Sequence, residues 1–224
     1  MSDPLLAKVI ERSNSIRSYQ QHVETETTVS ERPIRVVGDY SINHDRIEYF
    51  SKATTTLTIP VPGKSPENHE FTLTNIALAN DVYSKIDTKS EVLKKTIPYS
   101  PAWRHFKKDD IPPELKNIAI PGPILDNMRI LDEQGKYLLI VKKHGRVKLG
   151  TENLIRYTLK LSEETPLEGT LGSITNRIGK EGVVDIWIDE KIPAIRTIRF
   201  ENPTYHSTTS ISQIGAVERL SPPE

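Results

Sequence analysis

The sequence contains no cysteine. Disulfides, zinc–thiolate centres, iron–sulfur clusters and thiol nucleophiles are excluded with it. No run of 18 apolar residues occurs, so no segment reads as a membrane-spanning helix. Apolar residues are scarce, at 36% of the chain. With many Thr, Ile and Val, that share suits sheets wet on one face better than sheets buried on both. Charge of one sign is also lacking, since 30 basic residues balance 30 acidic ones. Nucleic acid as the main partner is thereby disfavoured, because phosphate binding draws on a basic surplus. The one Asn-x-Thr triplet, Asn202-Pro203-Thr204, is blocked as a glycosylation acceptor by its proline. Met1-Ser2-Asp3-Pro4 lacks the charged and apolar regions of a signal peptide. The expectation is a cytoplasmic chain, or one from which a leader has been removed.

The motifs of catalysis are missing as well. The six histidines show no i, i+4 pair that would make a metal site. No Ser lies in Gly-x-Ser-x-Gly. Gly169-Thr170-Leu171-Gly172 and Gly179-Lys180-Glu181-Gly182 do not join strand to helix as phosphate loops do. Asp185 and Asp189 are expected on the wet face of a strand. The chain is therefore read as non-enzymatic.

What the sequence does have is alternation. Asp3 and Pro4 open an N-terminal helix whose Leu5, Leu6, Val9, Ile10, Ser13 and Ile16 share one face. The period then switches to two. Strands are expected over residues 19–29, 34–42 and 46–59, with Val23, Val36, Tyr40, Ile47, Tyr49 and Leu57 on the apolar parity. Two more follow at 71–80 and 82–88, and residues 90–117 read as irregular around Trp103 and Phe106. A helix is expected after Pro123, with Leu125, Met128 and Leu131 on one side. Another begins at the capping box Thr165-Pro166-Leu167-Glu168. Between and after them, strands are expected at 137–143 and 146–149 (joined by a turn at His144-Gly145), 154–161, 184–189, 192–200, 204–211 and 213–220. The fold class is α+β: about eleven antiparallel strands and about three helices that cover the apolar face. Residues 1–220 are read as one domain and 221–224 as a disordered tail. A sheet curled tightly on its helices gives an ordinary core, and one curled loosely gives an apolar cavity. The pattern alone leaves both open.

The order of elements resembles the LolA-like lipoprotein-carrier superfamily, especially bacterial lipid-binding lipoproteins of the LppX/LprG kind. The resemblance spans nearly the whole chain. It is carried by the opening helix into Ile16-Arg17-Ser18-Tyr19, the aromatic stretch at Trp103 and the strand Ile155-Arg156-Tyr157-Thr158-Leu159. Val184-Asp185-Ile186-Trp187-Ile188-Asp189-Glu190-Lys191, Pro193-Ala194-Ile195-Arg196 and Ile214-Gly215-Ala216-Val217-Glu218 complete it. It implies an incomplete, half-open barrel with a helical lid on its concave face and a cavity that holds acyl chains. It implies no cofactor and no metal. It implies a periplasmic or cell-surface location, with anchoring through a lipidated N-terminal cysteine that this sequence does not contain. On that reading Val23, Val36, Tyr40, Ile47, Tyr49 and Leu57 line the cavity. Leu125, Met128 and Leu131 are lid contacts, and Trp103 and Phe106 stand at the mouth. A lipid or acyl chain is the expected ligand of a monomer. The alternative is an envelope sensor or interaction module that binds a partner protein on the same half-barrel.

Overall fold

The computed structural model describes residues 3–29, 32–61, 63, 65–111, 138–162, 182–191 and 194–223. Eleven strands are described, hydrogen-bonded in the order β6-β5-β4-β3-β2-β1 in one part and β11-β10-β9-β8-β7 in the other. They belong to two compact units, Arg17–Pro121 with Gln213–Glu224, and Met1–Ile16 with Gly122–Ser212.

The unit that starts at Arg17 is a meander in which each strand pairs with the next. Its strands are β1 (Ser18–Val29), β2 (Arg32–Asn43), β3 (Glu48–Ile59), β4 (Glu67–Leu78), β5 (Asp81–Asp87) and β6 (Ser100–Lys107). Short polar connections make this possible. In the β2–β3 turn the Arg46 amide donates to Asn43 Oδ1 at 3.0 Å. Ile47 then takes a left-handed φ of +54°, so β3 begins one residue later, at Glu48. Ile47 therefore lies in the turn, 47% exposed, and not within a strand as its parity suggested.

The stretch expected to be irregular around Trp103 holds a short helix, α2 (Glu91–Thr96), and all of β6. Ser90 caps α2 by accepting from the Leu93 amide at 3.2 Å. Pro101 hides β6 from a sequence reading. Here it is tolerated because β6 is the end strand of the order, where missing amides cost no ladder bond. Residues 213–220, expected as a strand, are irregular. Gln213 and Gly215 both take positive φ (46° and 78°) and turn the chain out of any ladder. The segment is held instead by Arg46, whose Nη2 donates to the carbonyls of Val217 and Glu218 at 3.2 and 3.1 Å.

The other unit holds α1 (Pro4–Ser15), β7 (Leu138–Leu149), β8 (Glu152–Leu161), β9 (Val183–Asp189), β10 (Ala194–Asn202) and β11 (Tyr205–Ser212). Asp3 caps α1, its Oδ1 accepting from the amides of Leu5 and Leu6 at 3.0 and 3.1 Å. The same carboxylate accepts from Tyr157 Oη and Lys143 Nζ, both at 3.0 Å. Burial works against its charge, yet these donors prevail and hold its pKa below the usual value. One residue thus starts the helix and fastens it to β7 and β8. Leu6 and Val9 are fully buried, and α1 packs against β10. The expected hairpin at His144-Gly145 is instead a bulge inside one long strand. Gly145 takes φ +71°, the register shifts between Lys143 and Arg146, and pairing with β8 resumes at Arg146–Ile155.

The described helices are α1, α2 and a single 3-10 turn at Lys108–Asp110. The helices expected after Pro123 and from Thr165, with Leu125, Met128 and Leu131, lie outside the described residues. Among the described residues the fold is an open antiparallel sheet with few helices.

Gly38 offers a test of the packing. A Cβ there would stand 2.8 Å from Tyr40 Oη and 3.1 Å from Ala53 Cβ, so the Tyr40 ring lies directly over the glycine. Gly38→Val should cost about 1–3 kcal/mol, the usual scale for forced overpacking. Urea unfolding measures it. Adding Tyr40→Ala should recover part of the loss, because the two positions are in contact.

Candidate functional site

In an antiparallel pair, residues directly opposite each other point to the same face of the sheet. The register therefore sorts every side chain of β1–β6. Val23 pairs with Gly38, Val36 with Thr55, Tyr40 with Ser51, and Tyr49 with Ala77. Leu57 pairs with Ile34, and Phe106 with Val82. Traced across the ladder, Val23, Val36, Tyr40, Tyr49, Leu57 and Phe106 all fall on one face. All six are half-buried. Toward the β4–β6 end this face becomes a packed core of Leu73, Ala77, Val82, Ile86 and Ile111, against which Tyr49 and Phe106 lie. Toward β1 and β2 it is less covered, and Val29 is 53% exposed. Burial, with a further push from Asp39, raises the Tyr40 phenol pKa.

Two expected residues are placed elsewhere. Ile47 is in the β2–β3 turn. Trp103 is three residues from Phe106, an odd step in a strand, so it points to the opposite face. There Lys85 Nζ lies 4.8 Å from its ring centroid. That opposite face is polar. His105 stacks on Tyr83 with centroids 4.7 Å apart, and Asp81 accepts from His105 Nε2 and Lys107 Nζ at 2.5 and 2.7 Å. Nearer β1, His22 Nδ1 bonds Asp39 Oδ1 at 2.7 Å across the strand pair.

A cleft of about 480 Å³ opens where β4 and β5 meet the Thr88–Ser90 turn, lined by Thr54, Glu70, Thr72, Asp87, Thr88 and Ser90. Its polar groups largely satisfy one another. Thr54 bonds Thr72 across the strands at 2.9 Å, Thr88 donates to the Glu70 carbonyl, and Ser90 meets His69 at 2.8 Å. None of the expected site residues lines it.

In the other unit, β8 and β9 pair Tyr157 with Ile186 and Leu159 with Val184, and these four are fully buried. Asp185, expected on a wet face, is only 5% exposed. Its carboxylate accepts from Arg156 Nη2 at 2.6 Å and Thr158 Oγ1 at 2.5 Å, while the Arg156 guanidinium stands 5.3 Å from the Trp187 ring centroid. A buried carboxylate needs such pairing, and here a cross-strand arginine supplies it. Among the described residues no three potential metal ligands converge, and no helix is long and apolar enough to cross a membrane.

Comparison with solved structures gives a match over 98% of the chain to LprF from Mycobacterium bovis, with 95% of that chain covered, a TM-score of 0.53 and 14% identity. The Mycobacterium tuberculosis lipoprotein LppX matches over 98% of this chain and 100% of its own, with a TM-score of 0.51 and 9% identity. The fold is that of LprF and LppX. It agrees with the resemblance drawn from the order of elements. No protein-family model matches the chain, and no curated protein is significantly similar in sequence. At 9–14% identity the likeness lies in the backbone path and pairing, while side chains have been almost wholly replaced.

The polar face yields a pH prediction. The Asp39 bond, aided by Glu24, raises the His22 pKa above its ordinary 6.5 despite some burial. The protonated ring therefore favours the folded state below the unfolded pKa, and that contribution disappears as pH rises through the higher folded value. NMR titration should place the His22 midpoint above that of an unfolded peptide, and Asp39→Asn should bring it back down.

Proposed function

We propose that the chain is a non-catalytic carrier that binds an acyl lipid on the apolar face of β1–β6, outside the cytoplasm. The observation that carries this reading is the register. It sets Val23, Val36, Tyr40, Tyr49 and Leu57 side by side, half-buried, in a fold shared with the lipoprotein LppX. The family resemblance supports the ligand class and the location. In this proposal Leu125, Met128 and Leu131 supply contacts to the acyl chain from the lid side, and Phe106 bounds the site near β5.

The energetics suit transport. Each methylene moved from water onto an apolar surface gains about 0.8 kcal/mol, so a chain of about fifteen gains on the order of 12 kcal/mol. A bilayer offers the same chain a similar gain. Protein and membrane are then nearly balanced, and loading or release turns on small changes in the protein, with no fuel-consuming step.

Organic extraction and native mass spectrometry of the purified protein should reveal bound acyl lipid. Val36→Trp and Leu57→Trp, which fill the face without adding charge, should reduce the bound fraction several-fold while near-UV circular dichroism keeps its folded signature. A protein that emerges empty and takes up no added fatty acid or phospholipid would overturn the proposal.

A further inference from the structure

One row across the apolar face of β1–β6 is not apolar. Gln21, Tyr40, Ser51, Asn75, Ser84 and Arg104 are successive cross-strand partners from β1 to β6. Apolar residues flank it on the same face, as Val82 and Ile86 flank Ser84 and Phe106 follows Arg104. The row is thus a polar seam one residue wide. Within it Asn75 Nδ2 donates to Ser51 Oγ at 3.2 Å. Gln21 Oε1, at the β1 end, meets no hydrogen-bond partner among the described residues, and the β5–β6 end adds two more such groups. Ser84 is 1% exposed, and neither its Oγ nor Arg104 Nε meets a hydrogen-bond partner among the described residues. Arg104 spends Nη2 on the Pro98 carbonyl at 3.2 Å and lays its guanidinium 5.7 Å from the Phe106 ring centroid. It forms no ion pair among the described residues.

A buried group with an unmade hydrogen bond costs stability, and native proteins keep few of them. Two on directly paired residues, with Cβ atoms roughly 5 Å apart, can be satisfied by one occupant. Arginine only donates, and a serine hydroxyl can donate. The occupant must therefore present an acceptor oxygen, and the guanidinium favours one that is charged or strongly polarised. Since the flanking residues are apolar, the rest of the occupant is apolar too. We infer that Ser84 and Arg104 form a subsite for the carbonyl oxygen of an acyl ligand, whether carboxylate or ester. The inference rests on the acyl-carrier reading and adds where the ligand's polar end is held.

The test uses the lipid-stripped full chain and displacement of N-phenyl-1-naphthylamine by octanoate, methyl octanoate and octane. The carbonyl-bearing ligands should displace the dye at concentrations about tenfold lower than octane, the scale of one charge-assisted hydrogen bond. Ser84→Ala and Arg104→Gln should each erase that preference and leave octane unchanged. Ser84→Ala should not lower Tm, because it removes a group that has no partner in the empty protein. Preference for octanoate assigns the subsite to free acids, and equal preference for acid and ester assigns it to acyl carbonyls in general. Equal displacement by all three ligands overturns the subsite while leaving the carrier reading intact. So does a Ser84→Ala variant that melts earlier and loses all three ligands alike. If the dye and every ligand fail to bind, the carrier reading falls and the subsite falls with it.

Discussion

Strand register is the constraint on which the rest of this molecule depends. Because side chains alternate every residue, a slip of one position in β2 would carry Ile34, Val36 and Tyr40 to the face that now holds Arg35, Val37 and Asp39. No local repair could undo that exchange. The turns enforce the register. Asn43 closes the β2–β3 connection through the Arg46 amide, and Ile47 accepts a left-handed backbone to let β3 start in phase. The polar face adds its own check. His22 opposite Asp39, Tyr83 opposite His105 and Asp81 opposite Lys107 are matched only in this alignment. The apolar face is thus fixed largely by the chemistry of the opposite one.

Much of this was legible before the structure. Period-two alternation located β1 to β5 and β8 to β11 to within a few residues, since a half-wet sheet must alternate. Asp3 and Pro4 marked α1 because cap chemistry is local. The failures share a cause, which is that the deciding partner lies far away in sequence. Pro101 looks like a strand breaker until β6 is known to be an end strand. Gly145 looks like a hairpin turn until β8 is seen to keep pairing beyond it as a bulge. Asp185 looks solvent-bound until Arg156 on the neighbouring strand supplies its partner. The strand expected at 213–220 does not form, because Gln213 and Gly215 turn the backbone out of the sheet.

The candidate site divides in the same way. Val23, Val36, Tyr40, Tyr49 and Leu57 share a face because parity is all that is needed to group residues in regular strands. Ile47 fell out because parity takes no account of where a turn ends. Trp103 fell out because β6 was not recognised, and without a strand its odd spacing from Phe106 carries no meaning. The polar seam was invisible for a further reason. Gln21, Ser51, Asn75, Ser84 and Arg104 come from different strands and form no motif in the linear chain. Only the accumulated registers of five strand pairs bring them into one line.

That seam bears on how a greasy surface acquires selectivity. Apolar burial scales with area and hardly distinguishes one hydrocarbon from another of equal length. Polar groups set within such a surface distinguish strongly, because a ligand that fails to bond them leaves them buried and unpaired. If Ser84 and Arg104 hold a ligand's carbonyl as proposed, their unsatisfied groups make the empty state less stable in return for that discrimination. In the same row Asn75 Nδ2 donates to Ser51 Oγ. The proposed subsite puts discrimination at the β5–β6 end of the face, next to the packed cluster of Val82, Ile86 and Phe106. On the proposed subsite, a ligand whose carbonyl meets Ser84 and Arg104 would lie with its polar end toward β6 and its hydrocarbon toward β1.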